Sequence, residues 1–184
     1  MTCIRNPPPL DAARAAVDYA FPWSELVTRY KFGNWTGSAH FLATLMLKVP
    51  EVRSALKELD DADHVIPMPL ATERLSMRGF NQAWELAKGL SAISGTQAQA
   101  DARLLLRVRH THAQSELKRE ERAANVQGAF QLEPLQAHRI HGRRVVLVDD
   151  VMTTGASLHA AALALREAGA RHITAIVLAR TPAA

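Results

Sequence analysis

Two adjacent carboxylates, Asp149 and Asp150, follow the apolar run Val145-Val146-Leu147-Val148, and Thr153, Thr154, Gly155, Ala156 and Ser157 come directly after. Each group suggests a chemistry. A hydroxyl-bearing turn whose glycine opens a helix offers hydroxyl donors beside backbone N–H groups and the positive end of a helix dipole, which suits a phosphate. Neighbouring carboxylates can receive the two hydroxyls of a ribose. They also repel each other, which is tolerable beside Mg²⁺, ligand hydroxyls or a positively charged transition state. Together the residues Val145 to Ser157 read as a grip for a phosphorylated ribose. An Asp-Asp pair standing alone would read as a solvated turn after a buried strand.

These groups need a scaffold. Val145 to Val148 lacks polar alternation and suits a parallel strand covered on both faces, whose carboxyl end opens into a ligand crevice. Consecutive strand residues point to opposite sides, so both aspartates can face one ligand only where the strand is ending. Leu158, Ala161, Ala162 and Leu165 recur at helical spacing, Gly169 stops the helix, and His172 to Ala179 reads as the next strand, completing a βαβ unit. Upstream, Val65-Ile66-Pro67-Met68-Pro69 reads as a second core strand, followed by the segment 70–79 and a helix from Asn81 to Ala92. Arg74 and Arg78 lie in that segment, where guanidinium forks would match phosphate oxygens. An alternative is that Arg78-Gly79 only forms the helix entry, with Asn81 as its cap. Val17 to Phe21 is expected as a short strand, Trp23 to Lys31 and Ala39 to Leu47 as helices, and Leu104 to Val108 as a strand leading into a long polar stretch.

The string 145–157 resembles the signature of the type I phosphoribosyltransferases, which bind 5-phosphoribosyl 1-pyrophosphate with Mg²⁺. Four further stretches resemble one branch, the ComF (competence protein F, GntX-like) family. They are Tyr30-Lys31-Phe32-Gly33, Arg78-Gly79-Phe80-Asn81-Gln82, Arg107-x-Arg109-x-Thr111-x-x-Gln114-x-x-Leu117, and Arg122-x-x-Asn125-Val126-x-Gly128-x-Phe130. The resemblance spans about Val17 to Arg180.

It implies a type I phosphoribosyltransferase-like α/β fold: a central, mainly parallel sheet flanked by helices, with a small N-terminal hood. Residues 1–16 would form a separate N-terminal segment, 17–48 the hood and 64–184 the core of a single domain. It implies Asp149 and Asp150 as catalytic residues and Thr153 to Ser157 as the ribose 5-phosphate loop. Arg74, Arg78 and Gly79 would belong to a pyrophosphate loop, and Arg109, Gln114, Lys118 and Arg122 to a lid. Mg²⁺ would be held mainly through the ligand near Asp149 and Asp150 rather than by direct protein ligation. The implied reaction is substitution at the anomeric carbon, with pyrophosphate leaving and positive charge building on the ribose. The acceptor is not implied. Many family members carry a four-cysteine zinc module at the beginning, whereas this sequence has only Cys3, so no zinc is expected. Ser157 stands where the family more often has Thr, which keeps the hydroxyl.

Composition fits one domain: 184 residues with 48% hydrophobic content. One cysteine excludes an internal disulfide and, with no apolar leader or span of ~20 apolar residues, points to a cytoplasmic protein without membrane insertion. The net charge of +4 is compatible with a phosphorylated metabolite or related nucleotide, or with nucleic acid. Arg103 to Arg122 could follow a phosphate backbone or form a salt-laced solvated face with Asp101, Glu116, Glu120 and Glu121. A second reading is therefore a non-catalytic accessory in DNA uptake, with single-stranded DNA or competence proteins as partners. Association into a homo-oligomer stays open. Trp23, Phe32 and Trp35 could stack a base, although such aromatics are more often core. His110 and His112 receive no catalytic role.

Overall fold

The computed structural model describes residues 9–33, 36–108 and 126–182. Among them the main sheet has five strands: β1 (Ala12–Asp18), β2 (His64–Pro67), β3 (Gln99–Ala100), β6 (Arg144–Met152) and β7 (His172–Arg180). Their order is β1-β7-β6-β2-β3 and every pairing is parallel. The remaining strands, β4 (Leu105–Arg107) and β5 (Phe130–Leu132), form a separate antiparallel pair.

The apolar run in β6 is explained by two-sided burial. Val145 and Leu147 enter one core with Ile66, Ile173, Ala175 and Val177. This core is covered by α6 (Ala156–Glu167), which contributes Leu158, Ala161, Ala162 and Leu165, and by Leu105 and Phe130 of the small hairpin. Val146 and Val148 enter the opposite core with Val65, Ile176 and Leu178. There the cover is α1 (Trp23–Phe32), α2 (Ala39–Met46), α3 (Pro50–Lys57) and α5 (Gln82–Ser94). A strand alternating between two dry layers has no polar side, so its sequence reads as continuous. Past the aspartates the order inverts: Val151 packs with the second core and Met152 with the first.

Three expectations are corrected. The first strand begins at Ala12, not Val17, so residues 12–16, read as part of a separate N-terminal segment, lie in the sheet, with Ala12 opposite Thr174 and Ala15 opposite Val177. Its Ala-Ala-Arg-Ala-Ala stretch lacks the β-branched residues that signal a strand. The ladder against β7 supplies what propensity does not. Leu104 to Val108 contributes β4, but to the hairpin and not the main sheet, whose edge is the two-residue β3. The segment 70–79 contains a helix, α4 (Thr72–Arg78), ended by Gly79 at φ +75°.

Among the described residues no helix is long and apolar enough to cross a membrane.

Candidate functional site

The carboxyl ends of β2 and β6, α4, the start of α6 and the end of α1 enclose a cleft of about 570 Å³, within the usual range for a small-molecule site. Asp149 and Asp150 stand at its floor, carried there by the last residues of β6. The Asp150 backbone N–H donates to Asp149 Oδ1 at 2.8 Å. Asp150 is buried, 8% exposed, and one of its oxygens, Oδ1, lies 3.2 Å from Lys31 Nζ. Burial first, and then the negative charge of Asp150, push the Asp149 carboxyl up to about 7. The Asp150 N–H, Lys31 and Arg107 oppose that shift. A buried carboxyl beside a like charge holds its proton more tightly, and hydroxyl donors or cations oppose that.

The 153–157 turn adjoins the pair. Gly155 adopts φ +78° and is buried; a Cβ there would stand 2.6 Å from Met152 Cε and 3.2 Å from His159 Nδ1. Only glycine meets both conditions without strain. Thr153, Gly155, Ala156 and Ser157 line the cleft, so the positive end of the twelve-residue α6 abuts it. Thr154 is not among the lining residues; its Oγ1 accepts the Ala156 N–H at 3.4 Å.

Opposite the turn, α4 places Arg74 and Arg78 one helical turn apart on the cleft wall. Arg78 donates to Gln82 Oε1 at 3.0 Å, and its guanidinium sits 4.9 Å from the Phe32 ring centroid. Burial, and secondarily the charge of Arg74, lower its pKa, against the pull of both aspartates. Gly79 is exposed and not among the lining residues; its role is to end α4. Asn81 caps α5, accepting N–H groups of Ala83 and Trp84, so the capping alternative holds together with Arg78 facing the cleft. Arg107, at the end of β4, completes the wall and packs 5.5 Å from the Phe130 ring centroid.

Thus Asp149, Asp150, Thr153, Gly155, Ala156, Ser157, Arg74 and Arg78 converge on one cleft, while Thr154 and Gly79 do not line it. Arg109, Gln114, Lys118 and Arg122 lie outside the described residues, as do His110, His112 and Trp35. Phe32, whose aromatic type suggests core, is 69% exposed at the cleft rim. Lining residues that sequence reasoning does not assign to the site include Lys31, Gln82 and Arg107. The signal was present, since each lies in a short family-like motif, but nothing local says which side chain of a motif faces inward. Lys31, Arg74, Arg78 and Arg107 set four cations against two carboxylates along this lining, a balance that favours a multiply charged anion. Among the described residues no group of three or more His, Cys, Asp or Glu side chains is arranged to hold a metal.

Residues 77–184 match the model of the phosphoribosyl transferase domain family. The chain is 36% identical over 182 residues to the DNA utilization protein YhgH of Shigella flexneri, covering 97% of this chain and 76% of that protein. It is 33% identical over 178 residues to competence protein F of Haemophilus influenzae, with the same coverages. Against competence protein ComFC of Bacillus subtilis the identity is 31% over 183 residues, 98% of this chain and 69% of the relative. Among solved structures, the crystal structure of TT1426 from Thermus thermophilus aligns with TM-score 0.40 and 19% identity, over 80% of this chain and 83% of that one. With a parallel α/β fold and the matched domain, the chain belongs to the ComF/YhgH family of proteins that carry a phosphoribosyltransferase domain.

Proposed function

We propose that this protein binds 5-phosphoribosyl 1-pyrophosphate with Mg²⁺ and transfers the phosphoribosyl group to an acceptor. The observation that carries the reading is the meeting in one cleft of a carboxylate pair, a glycine turn at a helix start and two arginines on the facing wall. Asp149 and Asp150 receive the ribose hydroxyls. Thr153 to Ser157 receive the 5-phosphate through hydroxyls and backbone N–H groups. Arg74 and Arg78 receive the pyrophosphate. The segment holding Arg109, Gln114, Lys118 and Arg122 would close over the ligand, and α1 with α2 would serve as the hood.

In the reaction the anomeric C–O bond to pyrophosphate breaks, pyrophosphate departs with the electron pair, and an acceptor lone pair forms the new bond. Cationic charge developing on the ribose lies next to the two aspartates, which stabilise it without forming a covalent bond. The donor set fits a metal held mostly by ligand oxygens: two carboxylates are too few to cage a hard cation but suit one that keeps waters and phosphate oxygens. When bound, Mg²⁺ supplies neutralisation of the departing pyrophosphate. Cytoplasmic location follows as part of this proposal.

The test is calorimetric titration of 5-phosphoribosyl 1-pyrophosphate with and without Mg²⁺, on the parent and on Asp149→Asn/Asp150→Asn protein shown to be folded. Metal-dependent binding lost in the variant supports the assignment; a folded parent that does not bind refutes it.

A second reading is favoured by the names of the relatives, a DNA utilization protein and competence proteins. In it the chain is a DNA-handling accessory whose basic stretch, beginning with Arg103 and Arg107, meets single-stranded DNA. A salt-dependent mobility shift of labelled single-stranded DNA, lost on Arg107→Glu with Arg109→Glu, would favour it, and no shift at low salt would remove it.

A further inference from the structure

The motif Tyr30-Lys31-Phe32-Gly33 has no part in the chemistry above, yet it is tied to the site through Gln82. That side chain is 2% exposed, and an amide so buried is costly unless its polar atoms are bonded. Its Nε2 donates to the Lys31 carbonyl at 3.4 Å, its Oε1 accepts from Arg78 at 3.0 Å, and its own carbonyl accepts the Tyr30 hydroxyl at 2.9 Å. Arg78 in turn lies over the Phe32 ring. The last turn of α1 is therefore tied to the wall that carries Arg78, which holds the Lys31 backbone beside the cleft.

Lys31 Nζ lies 3.2 Å from Asp150 Oδ1, with side-chain exposures of 21% for Lys31 and 12% for Asp150. A pair so shielded from water is worth more than a surface ion pair, and removing one member leaves a buried charge unbalanced. The neighbouring Asp149 carries a like charge, so a cation on Asp150 offsets the repulsion between the two carboxylates. Lys31 engages one oxygen and leaves a carboxylate with capacity for further hydrogen bonds.

We propose that Lys31 is a positioning residue for Asp150: a cation delivered by α1 that keeps this carboxylate oriented toward the sugar hydroxyls. The proposal rests on the reading of the cleft as a phosphoribosyl site. Its consequence is that Lys31 acts on the ligand through Asp150 and not on its own.

The experiment is calorimetric titration of the full chain with 5-phosphoribosyl 1-pyrophosphate and Mg²⁺, on the parent, Lys31→Met, Lys31→Arg, Asp150→Asn and the Lys31→Met/Asp150→Asn double variant. Thermal unfolding confirms that each is folded. Lys31→Met is expected to weaken binding about tenfold or more, as for loss of one member of a shielded charge pair. Lys31→Arg keeps the charge and stays within about threefold of the parent, and the double variant stays within about twofold of Asp150→Asn alone, since the two residues act as one unit. Unchanged affinity in Lys31→Met overturns the proposal, and so does an equal loss in both backgrounds, which would make Lys31 an independent contact. Should Asp150→Asn bind too weakly to titrate, the contrast between Lys31→Met and Lys31→Arg decides: equal losses overturn the proposal. Failure of the parent itself to bind removes the phosphoribosyl reading together with this one, whereas a binding parent with an indifferent Lys31 removes only this one.

Discussion

The two ends of β6 hold acidic residues of similar burial in opposite circumstances. At the amino end, Asp63 is 5% exposed and its oxygens accept backbone N–H groups of Arg144 at 2.8 Å and Asp60 at 3.1 Å. Nearby Asp11 accepts the Ile173 N–H at 2.6 Å and pairs with Arg166, and Arg144 pairs with Glu58 at 2.6 Å. At the carboxyl end, Asp150 is 8% exposed, but its carboxylate pairs with Lys31 and sits next to another carboxylate, Asp149. Both ends border clefts, of about 430 and 570 Å³. Burial of a charge therefore does not mark a site. What differs is whether backbone donors consume the carboxylate, which stabilises the fold, or whether like charges face each other in a way that a ligand would relieve.

Substitutions at the two ends should separate these roles. Gly155→Val should have the largest effect, because it places a branched side chain at positive φ against Met152 and His159. We expect a stability loss of about 2–5 kcal/mol in urea unfolding and no measurable binding of 5-phosphoribosyl 1-pyrophosphate. Asp63→Ala at the other end should cost about 2–3 kcal/mol by the same measurement, leaving two N–H groups without their acceptor. Its ligand affinity should stay within about twofold, as for a distant independent site; a large affinity loss would erase the distinction between the ends.

Arg78→Lys should weaken 5-phosphoribosyl 1-pyrophosphate about tenfold, since an ammonium cannot reproduce a bidentate fork. Ribose 5-phosphate, which lacks the pyrophosphate, should be little affected in the same titrations. A parallel loss for both ligands would move Arg78 to the ribose side of the cleft.

The smallest effect concerns pH. The folded-state pKa of Asp149, about 7, lies above its ordinary value of 3.8, so the folded chain holds the proton more tightly than the unfolded one. Its contribution to stability is then present at acid pH and falls as pH rises from about 4 to about 7. Asp149→Asn should flatten that slope and be modestly more stable than the parent at pH 8. A steeper slope in the variant would show that Asp149 is held ionised in the folded chain.

Much of the site was legible because it is local. Asp149 to Ser157 form one continuous strand–turn–helix whose apolar run, glycine and hydroxyls each carry a physical signature, and Arg74 and Arg78 lie four residues apart on one short helix. The start of the strand Ala12–Asp18 is not legible because alanines carry no strand signature, nor is β3, because two residues carry none at all. Helix α4 leaves no mark in the sequence because seven residues give too few turns for a periodic pattern.

Side-chain types and short-range spacing by themselves pointed to the proposed chemistry, a grip for phosphate and sugar, and to the strand that carries its candidate residues. Spacing along a chain says nothing of partners brought together across the fold. That Lys31 meets Asp150, that Gln82 ties α1 to Arg78, and that Asp63 is consumed by backbone while Asp150 is not, follow from packing of elements distant in sequence. The physical reason is that charge and hydrogen-bond capacity belong to a residue, whereas their satisfaction depends on which neighbours the folded chain places within about 3 Å.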